Sequence, residues 1–313
     1  MAAMTTIYAE PYAGLQSQAL GLAEAAGLNP PIVDLVARFP YSTMPAGLWP
    51  NPLAAVGLRA PRSKPGEQAL ALTVGGVGGA VGAALRRAGT RVVQIQNPRV
   101  SLKKFDLIVA NPHDEISGSN VIIVRTALHR ATQPRLHEAR RIWLPRFAHL
   151  PRPLVAVLVG GSNGRYRLEA AEGEALAREL AGVMNRDKAG LMISPSRRTA
   201  AAVREALTRR LGPMGAWIWD MEGENPYFGM LACADMIVAT VDSISMVSEA
   251  VATHAPVLLA ELPGRSRRIE LFLRGLKEAG RARPFAGRLE YWPVLPLDDT
   301  AEAAGEMRRR LKL

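Results

Sequence analysis

The stretch ATVDSISMVSEAVATHAPVLLAE, residues 239–261, reads as strand, helix, strand. Two short apolar runs flank a helical pattern, and such a unit pairs its strands in parallel with the helix crossing over one face. A helix that only covers a sheet needs one N-cap, and Asp242 or Ser243 supplies it. Ser245, Met246, Ser248 and Glu249 follow at once. Ser245 and Glu249 are four apart and share a helix face. A ligand would explain them, with an anion on the helix start and a ribose diol on Glu249.

Working outward, the same alternation repeats along the chain. Strand-like runs are TTIYAE, PIVDLV, ALALTV, RVVQIQ, FDLIVA and NVIIVR in the first half, and PLVAVLVGG, AGLMISP, GAWIWD, DMIVAT and APVLLAE in the second. Helical spacing appears in LQSQALGLAEAAG, LEAAEGEALARELAGVM and TAAAVREALTRRLG. Strands apolar on both faces, each followed by a helix, predict parallel sheets covered on both sides. The proline-rich segment RIWLPRFAHLPRPL, 141–154, reads as an extended linker. The expected layout is an α/β fold of two Rossmann-like domains, residues 1–145 and 146–298, with a ligand cleft between them. A last helix, 299–313, is expected to cross back to the first domain.

Composition narrows the chemistry. The 313 residues are 48% hydrophobic and 21% charged, which excludes a disordered chain or a coiled coil. A single cysteine, Cys233, excludes an internal disulfide and a cysteine-rich zinc site and fits a reducing compartment. The five histidines lack metal-ligand spacing, so no metal is expected. No secretory signal or spanning helix is expected, because the longest uncharged run, 69–85, is short and holds five glycines. It reads as a strand, a glycine loop and a helix start. The net charge of +11, much of it arginine, ranks a phosphorylated ligand first and an anionic membrane surface second. With aromatics at 5% and no binding module, no nucleic acid is expected.

Other segments carry candidate chemistry. After the strand PLVAVLV come Gly160, Gly161, Ser162, Asn163, Gly164 and Arg165, then a helix; this is a phosphate-cradle pattern or a plain turn. Ser196, Arg197, Arg198 and Thr199 occupy another strand-to-helix junction, where paired guanidiniums suit a diphosphate. Asn225 and Tyr227 follow GAWIWD and can meet a base or sugar, or shape the loop. His113 and Asp114 in ANPHDEISG are the base candidates by chemistry, against a capped polar loop. Gly76, Gly78 and Gly82 are spaced G-x-G-x-x-x-G, and no acid ends the next strand, so the dinucleotide fingerprint is incomplete.

Taken together, QSQALGLAEAAG, VQIQNPRVSLKKFDLIVANPHD, VGGSNGRYR, ISPSRRT and the run 224–257 resemble the mitochondrial-fission elongated-mitochondria (ELM) family and its bacterial homologues, over about 14–292. That family is similar in turn to GT-B glycosyltransferases, especially the one that adds N-acetylglucosamine to lipid-linked muropeptide. The resemblance implies a GT-B-like fold with the nucleotide-sugar in the C-terminal half, held by the loop 160–165 and by Glu249. It also implies an acceptor-side loop near Gly14 and Gln16. Two departures stand out: the histidine base that some related transferases carry in that loop is missing from EPYAGLQSQ. The segment 75–85 also lacks the arginine and threonine common in the family.

The expected function is metal-independent transfer of a sugar from a nucleotide-diphosphate sugar, bound as substrate with no resident cofactor, to a lipid-linked or envelope acceptor. The expected location is cytoplasmic, peripheral on the inner face of the membrane. A non-catalytic adaptor on the same fold is the alternative, and a nicotinamide oxidoreductase the third.

Overall fold

A computed structural model describes residues 5–59 and 69–313. The chain divides into two compact units: residues 1–130 with 298–313, and residues 131–297.

The first unit carries β1 (Thr5–Ala9), β2 (Ile32–Asp34), β3 (Leu70–Val74), β4 (Arg91–Ile95), β5 (Leu107–Ala110) and β6 (Val121–Ile123). Its helices are α1 (Ala13–Ala25), α2 (Pro52–Ala55) and α3 (Gly75–Arg87). The strands form one parallel sheet ordered β2-β1-β3-β4-β5-β6. One face packs Leu22, Leu72, Val93 and Met307, the other Ala71, Val81, Val92 and Ile108.

The second unit begins with α4 (Gln133–Trp143), then β7 (Leu154–Val159), α5 (Ala170–Asp187), β8 (Gly190–Pro195), α6 (Ala201–Leu211) and β9 (Trp217–Ile218). It continues through α7 (Tyr227–Cys233), β10 (Met236–Thr240), α8 (Ile244–Val251), β11 (Val257–Ala260), α9 (Arg267–Glu278) and β12 (Ala282–Pro284). The parallel order is β12-β11-β10-β7-β8-β9. Every residue of β7, β8, β10 and β11 is buried, as strands covered on both faces require. The last helix, α10 (Thr300–Leu311), belongs to the first unit and packs on α1.

Three local readings are corrected. Residues 141–154 are not an extended linker: α4 runs to Trp143, a 3-10 turn spans Pro145–Phe147, and Trp143, Phe147 and Leu150 enter the core of the second unit. Burying those three side chains outweighs the prolines, of which Pro145 takes the start of the 3-10 turn, where no amide is needed. The glycine loop after β3 does not exist either, because α3 starts at Gly75 itself. A Cβ on Gly79 would strike the Pro98 backbone, and one on Gly82 would crowd Thr73, Val92 and Phe105. Those glycines let the helix lie close on its neighbours. Finally, the acceptor-side loop is helical: Gly14 and Gln16 lie within α1, with Gln16 donating to Asp34 at 2.8 Å.

Candidate functional site

In the second unit the chain runs from β7 outward to β8 and β9, then returns to lay β10 on the other side of β7. Loops leaving the carboxyl ends of β7 and β10 therefore diverge, and such a switch point is where open α/β sheets hold ligands. Three of the candidate segments meet there: 160–165 after β7, 196–199 after β8 and 242–245 after β10.

Asp242 ties them together. Its side chain is fully buried, accepting from the Gly161 amide at 3.1 Å, the Thr240 hydroxyl at 2.7 Å and the Arg198 guanidinium at 2.8 Å. Arg198 also donates to the Gly161 carbonyl at 2.9 Å, and the Asn163 amide to the Asp242 carbonyl at 2.9 Å. Thr240 accepts from the Gly160 amide at 2.8 Å. A Cβ on Gly160 would collide with the Asp242 carboxylate, and one on Gly161 with the Arg198 backbone. Both glycines are thus demanded by the protein's own packing, and their amides point at Thr240 and Asp242.

The other loop residues divide between turn chemistry and surface. Ser162 accepts from the Leu168 amide and donates to Glu169. The Asn163 oxygen caps the amides of Arg165 and Tyr166, and Gly164 has the left-handed φ of +69°. Ser196 and Thr199 bond each other at 3.1 Å, and Thr199 also closes on the Val159 and Gly160 carbonyls. The helix expected directly after Arg165 starts only at Ala170, and Glu169 and Glu172 cap it reciprocally. Two carboxylates at that helix start satisfy its amides and repel an added anion. Arg165 and Arg197 are exposed, on two of the three loops, and neither forms an ion pair among the described residues.

On α8, Ser243 is the N-cap, accepting from the Met246 amide at 3.4 Å. Asp242 is turned away to its own network. Met246 joins the hydrophobic core, and Ser248 is fully buried. Glu249, also buried, accepts from the Tyr227 hydroxyl at 2.7 Å. Burial, and then the Glu249 charge, push the Tyr227 phenol well above its usual range, so it stays a hydrogen donor. Asn225 accepts from the Tyr227 amide at 2.9 Å and shapes the entry to α7.

In the first unit the base candidates are His113 and Asp114. They form a 3-10 turn with Pro112 after β5, and both are buried. Asp114 accepts from the Asn111 amide at 3.0 Å, as one half of a capping box. The Asn111 side chain in turn donates to the carbonyls of Val124 and Thr126. Two residues went unnoticed in the sequence. Thr240 looked like the end of an apolar strand. Glu10, at the end of β1, is half-buried with its carboxyl raised by burial.

A family model described as mitochondrial fission ELM1 matches residues 13–311. The chain belongs to this family. It is 33% identical over 247 residues to the mitochondrial fission protein ELM1 of Arabidopsis thaliana, covering 70% of this chain and 58% of that protein. It spans 58% of the length of both curated relatives that it matches first. Among solved structures, the UDP-GlcNAc 2-epimerase of Methanocaldococcus jannaschii aligns at a TM-score of 0.59 and 12% identity, covering 100% of each chain. UGT71G1 of Medicago truncatula, complexed with UDP-glucose, aligns at 0.54 and 13%, covering 98% of this chain and 93% of that one. At such identities the likeness is one of fold, and the fold of this member of the ELM1 family is α/β of GT-B type.

Proposed function

We propose that the second unit binds a nucleoside diphosphate and that the protein is a metal-independent glycosyltransferase using a nucleotide-diphosphate sugar. One observation carries this reading. Asp242 and Arg198 hold three loops at the β7/β10 switch point in one arrangement, while Arg165 and Arg197 on those loops keep their guanidiniums outside any ion pair among the described residues. Fixed loops bearing two such guanidiniums complement a diphosphate, and more strongly so as the leaving group gains charge. Ser243 and Ser245 at the start of α8 add donors on the same side. Glu249, oriented by Tyr227, takes a ribose hydroxyl. Two structural neighbours were solved with UDP-GlcNAc and with UDP-glucose, which favours a uridine nucleotide as the first to try.

The acceptor in this proposal is lipid-linked or part of the cell envelope, met at an anionic membrane surface from the cytoplasmic side. The net charge of +11 supports it. No helix among the described residues is long and apolar enough to cross a membrane. Cys233 is buried, which pushes its thiol up to about 11 and keeps it protonated. Within the arginine-rich runs, Arg309 and Arg310 share Glu306 and Arg265 pairs with Glu270, so each run keeps an excess of positive charge.

A non-catalytic adaptor on the same fold is the second reading, favoured by the incorporation of His113 and Asp114 into a buried turn. The test is incubation with UDP-, GDP- and CDP-sugars and a lipid extract, following release of nucleoside diphosphate. Release that is lost in Arg165→Ala/Arg197→Ala supports the enzyme. Nucleotide binding without release in any combination supports the adaptor. Absence of both binding and release overturns the nucleotide site and leaves the adaptor.

A further inference from the structure

The first unit has its own switch point. β1 leads outward to β2, and the chain then returns to place β3 on the other side of β1. At the carboxyl ends of these strands lies a cavity of about 510 Å³, lined by Glu10, Ala46, Leu48, Gly76, Val77 and Arg99 among others. Two opposite charges face this one space without meeting. The Glu10 carboxyl makes no hydrogen bond or ion pair among the described residues, although it is half-buried. The Arg99 guanidinium likewise has no ion pair among them. Had the two served only each other, a side-chain pair within ion-pair distance would have closed the gap and relieved the desolvation that raises the Glu10 carboxyl.

Arg99 is also held in place at a cost. It stands at φ +61°, and Gln96 in the same loop at φ +69°, in a region that non-glycine residues avoid. The Asn97 side chain fastens the turn by accepting from the Arg99 amide at 2.9 Å, and the Arg99 carbonyl passes close to Gly47, where a Cβ would lie 3.3 Å from it. The guanidinium is therefore carried to the cavity by a braced turn. Leu48 and Val77 add apolar lining to the same cavity.

We propose that this cavity is a second ligand site, for a small molecule bearing a protonated amine and an anionic group on a short apolar link. The amine meets Glu10 and the anion meets Arg99. Charge-assisted bonds in a partly dry site are the stronger kind, and each charge of such a ligand answers one that the protein leaves open. The proposal stands apart from the nucleotide reading of the second unit, since no residue is shared.

The experiment is calorimetric titration of the full chain with phosphoethanolamine and with β-alanine, and with ethanolamine and inorganic phosphate as half-probes. At least one of the two complete probes binds ten-fold or more tightly than either half-probe. Preference for phosphoethanolamine identifies the anion as phosphate, and preference for β-alanine as carboxylate. Glu10→Gln lowers affinity for the complete probe at least ten-fold but leaves that for phosphate equal or higher, because a repelling charge is gone. Arg99→Gln lowers the complete probe alike and spares ethanolamine. General damage to the cavity would weaken all probes together. Binding by neither complete probe, half-probes that match them, or a Glu10→Gln chain that binds the complete probe as the parent does would each overturn the proposal.

Discussion

The two switch points in this chain solve the same topological problem in opposite ways. In the second unit, the strand order leaves β7 and β10 side by side with their loops diverging, and Asp242 closes the gap from within. Gly160, Gly161, Thr240 and Arg198 all give their hydrogen bonds to that closure or to each other. In the first unit, the segments that follow β1 and β4 leave Glu10 and Arg99 facing a cavity with no mutual pairing among the described residues. A carboxylate stands one residue past its strand in the first unit and two residues past it in the second, and only the second finds partners among the described residues. The comparison teaches that motif residues at a switch point divide into those that hold loops and those left to meet a ligand. Hydrogen-bond accounting separates them, while residue type does not.

Breaking the internal closure should have the largest effect. Asp242→Ala leaves the Gly161 amide and the half-exposed Arg198 without their buried acceptor, and should lower stability by about 3 kcal/mol. Urea denaturation measures this, and a change under about 0.5 kcal/mol, the scale of an ordinary surface substitution, would show that the three loops do not depend on the carboxylate. Gly161→Ala comes next, at about 1–3 kcal/mol, because the added methyl meets the Arg198 backbone. Binding of a nucleoside and of its diphosphate should then fall together, since the whole loop is displaced. A loss confined to the diphosphate would return Gly161 to a direct phosphate role.

Tyr227→Phe should cost about 1 kcal/mol and weaken nucleotide binding, because Glu249 loses the donor that orients it. An unchanged nucleotide affinity in a folded variant would take Glu249 out of the site.

The smallest expected effect belongs to the first unit. His129 is buried, and burial lowers its pKa against the opposing pull of Asp298, at 3.4 Å, and Asp299. The unfolded chain therefore takes up a proton that the folded chain resists, so the contribution is intact above about pH 6.5 and declines as pH falls below it. Burial also opposes the charge of Asp299, but hydrogen bonds from Arg125 hold it below the usual carboxylate range. Its contribution is present above the ordinary carboxylate pKa and is lost only in stronger acid. His129→Gln should flatten melting temperature against pH between about pH 7 and pH 5. An identical slope in the parent and the variant would contradict this account.

Much of the fold was legible because buried parallel strands announce themselves as unbroken apolar runs. All eleven expected strands are present, and β12, the three residues Ala282–Pro284, was passed over because Arg283 and Pro284 are not strand-like. The helix-dense stretch around Trp143 was misread because proline is equally at home at a turn start and in a linker. The site was legible as a set of places but not as a set of roles. Segments 160–165, 196–199 and 242–245 do converge, since each follows a neighbouring strand. Whether Asp242 would face a ligand or its own loops depends on partners eighty residues away, such as Gly161, which no local pattern reveals. Glu10 was missed for the converse reason: a lone acid at a strand end is unremarkable until the cavity around it is known.

The central claim, that the fixed loops of the second unit present Arg165 and Arg197 to a diphosphate, is tested most directly by comparing UDP with uridine in one calorimetric experiment. UDP should bind the parent chain at least ten-fold more tightly than uridine, a difference of about 1.4 kcal/mol. Arg165→Ala/Arg197→Ala should erase that advantage while leaving uridine affinity and the melting temperature unchanged. A double variant that still prefers UDP over uridine by the parental factor would contradict the claim.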